Sequence, residues 1–483
     1  MKISELTPAP LWSFFEQITR IPRPSGHEQE ITRWLALFAQ ERGLEHRFDK
    51  AGNLLIVKRA QNSSVTTPIA LKSHVDMVCE KDSGGETDSE HDPIPAYVDG
   101  GYVLAKGTSL GADCGIGMAV ALYVLDSASM SLPAIVAVFT VDEERGLTGA
   151  SGLGKEMLTA PRLINLDSED EEQVFIGCAG GIDTVASFKA ERVVVPDGLT
   201  AVTIRVHGLQ GGHSGDNINS HLANANMLLS RVMHSMLEFT PLWITHIDGG
   251  NLRNAIPREA VVEVAVISSA CPAIESIVHR IAAAARNEYH KTEPTLAVEM
   301  TVTGRASGEA LTTDVGYRLT ESVFTAVNGV AAFSQDIEGF VETSTNLASV
   351  KMKDDRIVIS TSQRSSLDSK KEWLASVMKA HFEAYGADVT QSEGYPGWAP
   401  SADSPIVRTT IDAYEAVYGR PPAVKAIHAG LECGLFLAKY PGLDMVSIGP
   451  DIKNVHSPSE RLDIASVTKF AEVIETLLSM LTD

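Results

Sequence analysis

The stretch PIALKSHVDMV, residues 68–78, starts as a short aliphatic run bounded by a proline and ends on two polar residues, His74 and Asp76. A run of this length and composition reads as a buried strand. Side chains alternate along an extended chain, so His74 and Asp76 project to the same side. AIVAVFTVDEE, residues 134–144, repeats the design and ends on Glu143 and Glu144. PRLINLDSED, residues 161–170, carries Asp167 beyond its apolar part, and NLLIVKR, residues 53–59, supplies another strand. Between them GMAVALYVLDSA, residues 117–128, predicts a helix that begins near Gly115. Helices alternating with nearly continuous apolar strands predict an α/β domain with a covered, largely parallel central sheet. Open α/β sheets place ligands just beyond the strand ends, which is where the polar residues fall.

At 483 residues the chain is too long for one ordinary core, so two domains are expected. Residues 11–38 predict two helices parted by IPRPSG at 21–26. After about residue 185 the pattern changes. TAVTIRVHGLQGGHSG (200–215) and AVVEVAVISS (260–269) look like antiparallel strands with one wetter face, separated by a helix over 221–238. A weaker series over 296–367 includes LAVEMTVTG and RIVISTSQRSS. It is either a duplication of a small β–α–β–β unit or a coincidence, and no strict repeat decides between them. QSEGYPGWAPSADSP, residues 391–405, resembles a junction, after which the α/β pattern returns. The expected division is an α/β domain built from 1–185 and 396–483, with an α+β lid or dimerisation domain inserted at 186–395.

The net charge of −22, from 40 Lys+Arg against 62 Asp+Glu, repels nucleic acid and anionic membranes. The amino-terminal residues lack a signal-peptide pattern, and no stretch is apolar for long enough to span a bilayer. The five cysteines are dispersed, with no CxxC, which points to reduced thiols and a cytoplasmic protein.

One HxD or one acidic pair is commonplace. Together with SLGADCGIG (109–117), INLDSED (164–170) and NVHSPSE (454–460), however, they offer imidazoles and several carboxylates at the ends of core elements. Zinc accepts both ligand types, and two nearby cations can share a carboxylate. GGHSG, residues 211–215, is no serine-hydrolase elbow, because its histidine precedes the serine. Cys114 fits a buried turn residue better than a ligand.

SHVDMV (73–78), GTSLGADCGIG (107–117), TVDEERGLTGA (140–150), NLDSED (165–170), GGHSG, GGNLRNAIP (249–257), HAGLECG (428–434) and NVHSPSE follow one another in the order of a known family. Over essentially its full length the chain resembles the M20 metallopeptidases, in particular their aminoacyl-histidine dipeptidase branch. The resemblance implies two divalent ions per subunit, zinc being expected and cobalt or manganese able to substitute. It implies His74 as a ligand of one ion and His456 of the other, Asp113 as the bridge, and Glu144 and Asp167 as the remaining ligands. Asp76 would orient His74, and Glu143 would be the general base of a metal-dependent dipeptide hydrolysis. His213 would stabilise the oxyanion, while Asn254 and Arg364 would bind the substrate's terminal carboxylate. Glu432 would contact its amino end, and His428 would be structural. The implied substrates are dipeptides free at both ends, Xaa-His included. The implied assembly is a homodimer through the middle domain, although the second half of that domain could instead imitate a partner lid.

Overall fold

The computed structural model describes residues 2–83, 87–401 and 403–482, so residue 402 of the expected junction lies outside the described residues. The chain divides into two compact units, one of Met1–Gly177, Pro400–Ala426 and Leu431–Asp483, the other of Cys178–Ala399 and Ile427–Gly430. The second unit starts before residue 185 because Gly180–Lys189 is a strand of its sheet.

The first unit is built on an eight-stranded sheet. Its strands lie in the order Glu45–Phe48, Leu54–Lys58, Ile135–Thr140, Ile69–His74, Arg162–Asn165, Asp444–Ser447, Gln173–Cys178 and Ala423–Ile427. Ile135–Thr140, Ile69–His74, Arg162–Asn165 and Asp444–Ser447 run parallel to one another. Antiparallel pairing begins on either side of them, so the sheet is mixed, with a parallel centre. Every residue of Ile69–His74 and Ile135–Thr140 is buried, as expected of central strands covered on both faces. The two amino-terminal helices are Ala9–Ile18 and Gln29–Glu41, interrupted where the prolines of 21–26 predict. Helix Ala112–Asp126 becomes regular only after Asp113 and Cys114, whose dihedrals are not helical.

A small four-stranded sheet orders Ile452–Lys453, Arg461–Asp463, Tyr102–Ala105 and Ala96–Asp99. Its pairing of Arg461–Asp463 with Tyr102–Ala105 ties the loop that carries His456 to the segment leading into Asp113.

The second unit contains a nine-stranded sheet whose two halves share one topology. The first half runs Leu199–His207, helix Ala225–Leu237, Trp243–Gly249, Ala260–Ile267, helix Cys271–Glu288 and Ala297–Arg305. The second runs Gly180–Lys189, helix Thr313–Phe324, Val341–Lys353, Arg356–Ser365, helix Asp368–Ala384 and Asp388–Gln391, with Gly329–Phe333 added alongside. Counted outward from the centre, each half places its second, third, first and fourth strands in turn. This is a duplicated ferredoxin-like β–α–β–β–α–β unit. The halves join edge to edge where Asp248 and Gly249 pair with Lys351 and Val350. Their helices pack into one core that includes Leu228, Val262 and Ile281 from the first half and Leu319, Ile359 and Met378 from the second.

Candidate metal centre

Each residue expected to touch a metal ion lies in the first unit, at or just beyond the carboxyl end of a parallel strand or in the two segments tied by the small sheet. His74 closes its strand, with Glu143 and Glu144 following Ile135–Thr140 and Asp167 following Arg162–Asn165. Asp113 presents its two carboxylate oxygens to two histidines. Oδ1 lies 3.1 Å from His74 Nε2, and Oδ2 lies 3.3 Å from His456 Nε2. Each ring also faces a second carboxylate, since Asp167 Oδ1 is 3.1 Å from His74 Nε2 and Glu144 Oε1 is 3.0 Å from His456 Nε2. The result is two clusters that share one aspartate.

These residues fit a pair of cations. His74 Nε2 carries at most one proton yet has two carboxylate oxygens at the same distance, and Asp167 Oδ1 is left buried without a hydrogen bond. A divalent ion satisfies all three atoms at once, and two imidazoles with three carboxylates are a donor set that zinc accepts. In the absence of cations, protons take that role. Burial opposes charge on His74, but Asp167, Asp113 and Asp76 outweigh it and hold its pKa well above the ordinary value. Hydrogen bonds to Asp113 and Glu144 push His456 up to about 11. Ligating nitrogens must shed those protons, so metal uptake is expected to release roughly two protons per chain. It should therefore weaken as pH falls. Calorimetric titration with zinc in buffers of different ionisation enthalpy reads the count directly, and a buffer-independent heat would contradict it.

Asp76 sits behind His74, its Oδ1 3.4 Å from Nδ1. It accepts hydrogen bonds from the backbone N–H groups of Glu143 and Glu144 at 3.1 and 3.2 Å, and from Ser25 Oγ at 2.7 Å. Burial resists its ionisation, and the nearby His74 ring with the bonds from Ser25 and the backbone overcome that resistance, keeping the carboxyl well below the usual range. One residue thus holds the segment that bears Glu143 and stands beside the His74 ring. Glu143 has the opposite shift, because burial and the neighbouring Asp167, Glu432 and Glu144 raise its pKa well above the ordinary value. A carboxyl that holds a proton readily beside a cation site has the chemistry of a general base and acid. Asp142 and His456, with φ of 52° and 58°, occupy the left-handed region that such residues seldom adopt, a strain typical of functional loops.

Four supporting residues are absent from the sequence expectation. Glu460 accepts from the N–H groups of Leu110, Gly111, Ala112 and Asp113 at 2.8, 2.9, 2.8 and 3.4 Å, fixing the turn that presents Asp113. Arg23, fully buried, donates to the carbonyls of Val75 and Asp76 at 3.0 and 2.8 Å and also to that of Gly111. Gly111 is required there, since its φ is +67° and a Cβ would lie 2.6 Å from both Arg23 Nη2 and Met77 Sδ. Glu169 is pushed up to about 8 by burial and the charge of Asp113. Lys72, fully buried, bonds Asp167 Oδ2 at 2.8 Å and Glu432 Oε2 at 2.5 Å. Burial opposes its charge, and Asp167 and Glu432 more than restore it. Cys114 Sγ lies among these groups but donates to the Leu166 carbonyl at 3.3 Å, and burial foremost raises its thiol pKa, so it stays protonated.

Glu432 departs from its expected place at the substrate's amino end. It is wholly buried at the start of helix Glu432–Lys439, its Oε2 bound to Lys72 and, at 2.8 Å, to Thr140 Oγ1, while its Oε1 has no hydrogen bond.

The second unit holds the remaining expected residues. His213 and Asn254 come together because Gly212–His213 pairs with Ala255–Ile256, and the Asn254 carbonyl accepts from Ser214 N at 2.8 Å. They line an open cavity of about 620 Å³ with Asp248, Leu252 and Arg258. His213 Nδ1 lies 3.1 Å from Asp216 Oδ2. Arg364 is buried and donates to Tyr395 Oη at 3.1 Å. His428 Nε2 bonds Ser344 Oγ at 2.7 Å, and burial together with Arg364 drives its pKa down to about 3, so it is neutral.

The chain is 39% identical to the cytosol non-specific dipeptidase of Escherichia coli (strain K12) over 480 residues, which covers 99% of this chain and 98% of that one. It superposes on the crystal structure of aminoacylhistidine dipeptidase from Vibrio alginolyticus with a TM-score of 0.91 and 38% identity, covering 99% and 98% of the two chains. Aminopeptidase PepT from Bacillus cereus shares the fold at a TM-score of 0.59 and 18% identity, over 99% of this chain and all of that one. Residues 70–480 match Peptidase family M20/M25/M40, and the chain belongs to that family.

Proposed function

We propose that the protein is a dinuclear metal-dependent dipeptidase of broad specificity that accepts Xaa-His dipeptides among others. The observation that carries this reading is Asp113, with one oxygen toward each histidine and a further carboxylate beside each ring. His74, Asp167 and Asp113 would hold one ion, and His456, Glu144 and Asp113 the other, with zinc expected in both. Bound ions supply Lewis acidity toward the scissile carbonyl and make water acidic enough to give up a proton near neutral pH.

The chain's own residues do the rest. Glu143 takes the proton from the attacking water and returns it to the departing amine, so peptide plus water becomes a carboxylate and a free amino group. Asp76 fixes the tautomer and orientation of His74. His213 is proposed for the developing oxyanion, and Asn254 and Arg364 for the substrate's terminal carboxylate. Glu432, bonded inside the protein, is assigned no substrate contact.

A homodimer through the second unit remains our proposal. The edges of Trp243–Gly249 and Val341–Lys353 are already paired within one chain, so that dimer would use another part of the unit. Among the described residues no helix is long and apolar enough to cross a membrane. Together with the kinship to a cytosolic relative, this supports the proposal of a cytoplasmic site of action.

The dinuclear reading is tested by metal analysis of protein equilibrated with zinc and then freed of excess ion. Two zinc ions per chain are expected, and uptake of one or none would refute the paired site.

A further inference from the structure

Lys72 lies two residues before His74 on one strand, so the two side chains project to the same side of the sheet. Its ammonium group is 2.8 Å from Asp167 Oδ2, whereas Asp167 Oδ1 faces His74 Nε2 at 3.1 Å and has no hydrogen bond. One carboxylate is therefore divided between a fixed cation and the metal cluster. We propose that Lys72 restricts Asp167 to a single donor atom, so that the ion beside His74 takes Oδ1 alone and keeps a coordination position for the reaction. The inference rests on the metal-centre reading given above and deepens it.

A carboxylate can offer a metal one oxygen or both. An ion seeking Oδ2 as well would meet the Lys72 charge on the same atom, in a buried setting where repulsion is weakly screened. Lys72 is held in place from its other side by Glu432 at 2.5 Å, and Glu432 in turn by Thr140 Oγ1 at 2.8 Å. Moving the ammonium away would leave Glu432 buried and unpaired, which is costly. An open position is what separates a catalytic zinc site from a closed structural one. Lys72 and Glu432 are thus positioning residues that act through Asp167. The arrangement also accounts for a charged pair that an apolar pair of similar volume could replace without loss of packing.

The test compares the wild type with Lys72→Met/Glu432→Gln, which removes the ion pair as a unit, and with Lys72→Gln, which keeps a hydrogen-bond donor near Asp167. In zinc-loaded crystals of the wild type, Asp167 should ligate through Oδ1 alone, and in the double variant through both oxygens. In titrations with cobalt followed by visible absorption, the double variant should show the weaker absorptivity of a higher coordination number. It should also bind cobalt about tenfold tighter, the scale on which groups contacting a ligand shift metal affinity. Lys72→Gln, which removes the charge while keeping a donor, should shift the spectrum in the same direction as the double variant. A purely structural ion pair predicts the reverse, with lower thermal stability, weaker binding and an unchanged spectrum. Two Asp167 oxygens on the ion in the wild type would overturn the proposal, and that observation stands even if the double variant does not fold. Uptake of one ion rather than two counts against the paired site alone, because the coordination of Asp167 still decides the role of Lys72. An ion bound without Asp167 overturns both.

Discussion

Replacing Glu143 by glutamine is expected to lower kcat by roughly 10²–10⁴-fold, the usual contribution of a positioned general base. Zinc content should be unchanged. Glu143 belongs to neither of the two clusters that share Asp113, and its backbone N–H is held by Asp76 whatever its side chain carries. Glutamine preserves size and removes only the capacity to accept a proton. KM should move little, since the residue acts on water and the leaving group rather than on the substrate's ends. Steady-state kinetics paired with metal analysis of the same preparation checks both halves. Wild-type turnover in the variant would remove Glu143 from the chemistry, and loss of zinc would make it a ligand.

The second large effect is expected at Asp113. Its two oxygens serve both clusters, so Asp113→Ala should weaken both ions at once and lower activity by about 10³-fold or more, the equivalent of several kcal/mol of lost Lewis-acid stabilisation. Stability should respond as well. Without ions, Asp113 is buried and repelled by Asp167, but its bonds from His456 and His74 outweigh both and hold its carboxyl below the usual range. Its removal takes those bonds away, and the metal-free variant should melt below metal-free wild type near neutral pH. Zinc should stabilise the wild type by about 2.7 kcal/mol for each bound ion at a hundredfold excess over Kd, and the variant far less. Thermal melts with and without zinc separate these terms. A variant that keeps the full zinc-dependent shift would show that Asp113 does not join the two sites.

The sequence carries much of this candidate site because the proposed ligands obey local rules. His74 and Asp76 share a strand face by the period of two, and Asp167 and Glu144 follow apolar runs at the ends of central strands. The buried supports obey no such rule. Lys72 interrupts an aliphatic run with a charge, and only its partners, 95 and 360 residues away, make burial tolerable. Arg23 lies in a segment whose prolines dominate its reading, and Glu460 ends a motif in which the histidine draws attention. In each case the signal is a charged residue in an apolar or turn context whose partner is distant in sequence.

The duplication in the second unit stayed undecided in the sequence for a topological reason. The first strand of the second half, Gly180–Lys189, is separated from the helix that follows it, Thr313–Phe324, by the whole of the first half. A scan for consecutive repeats aligns the wrong segments. Glu432 differs again: the motif around it draws a reading toward the substrate, whereas its Oε2 is paired with the buried Lys72.

The most direct test of the central claim is product analysis by mass spectrometry after zinc-loaded enzyme meets matched dipeptides, tripeptides and N-acetylated dipeptides. Cleavage concentrated on unblocked dipeptides, abolished by chelation and restored by zinc, is the predicted result. Preferential release of acetate would instead make the protein a deacylase, and no cleavage of any substrate by protein shown to hold two ions would contradict the catalytic account.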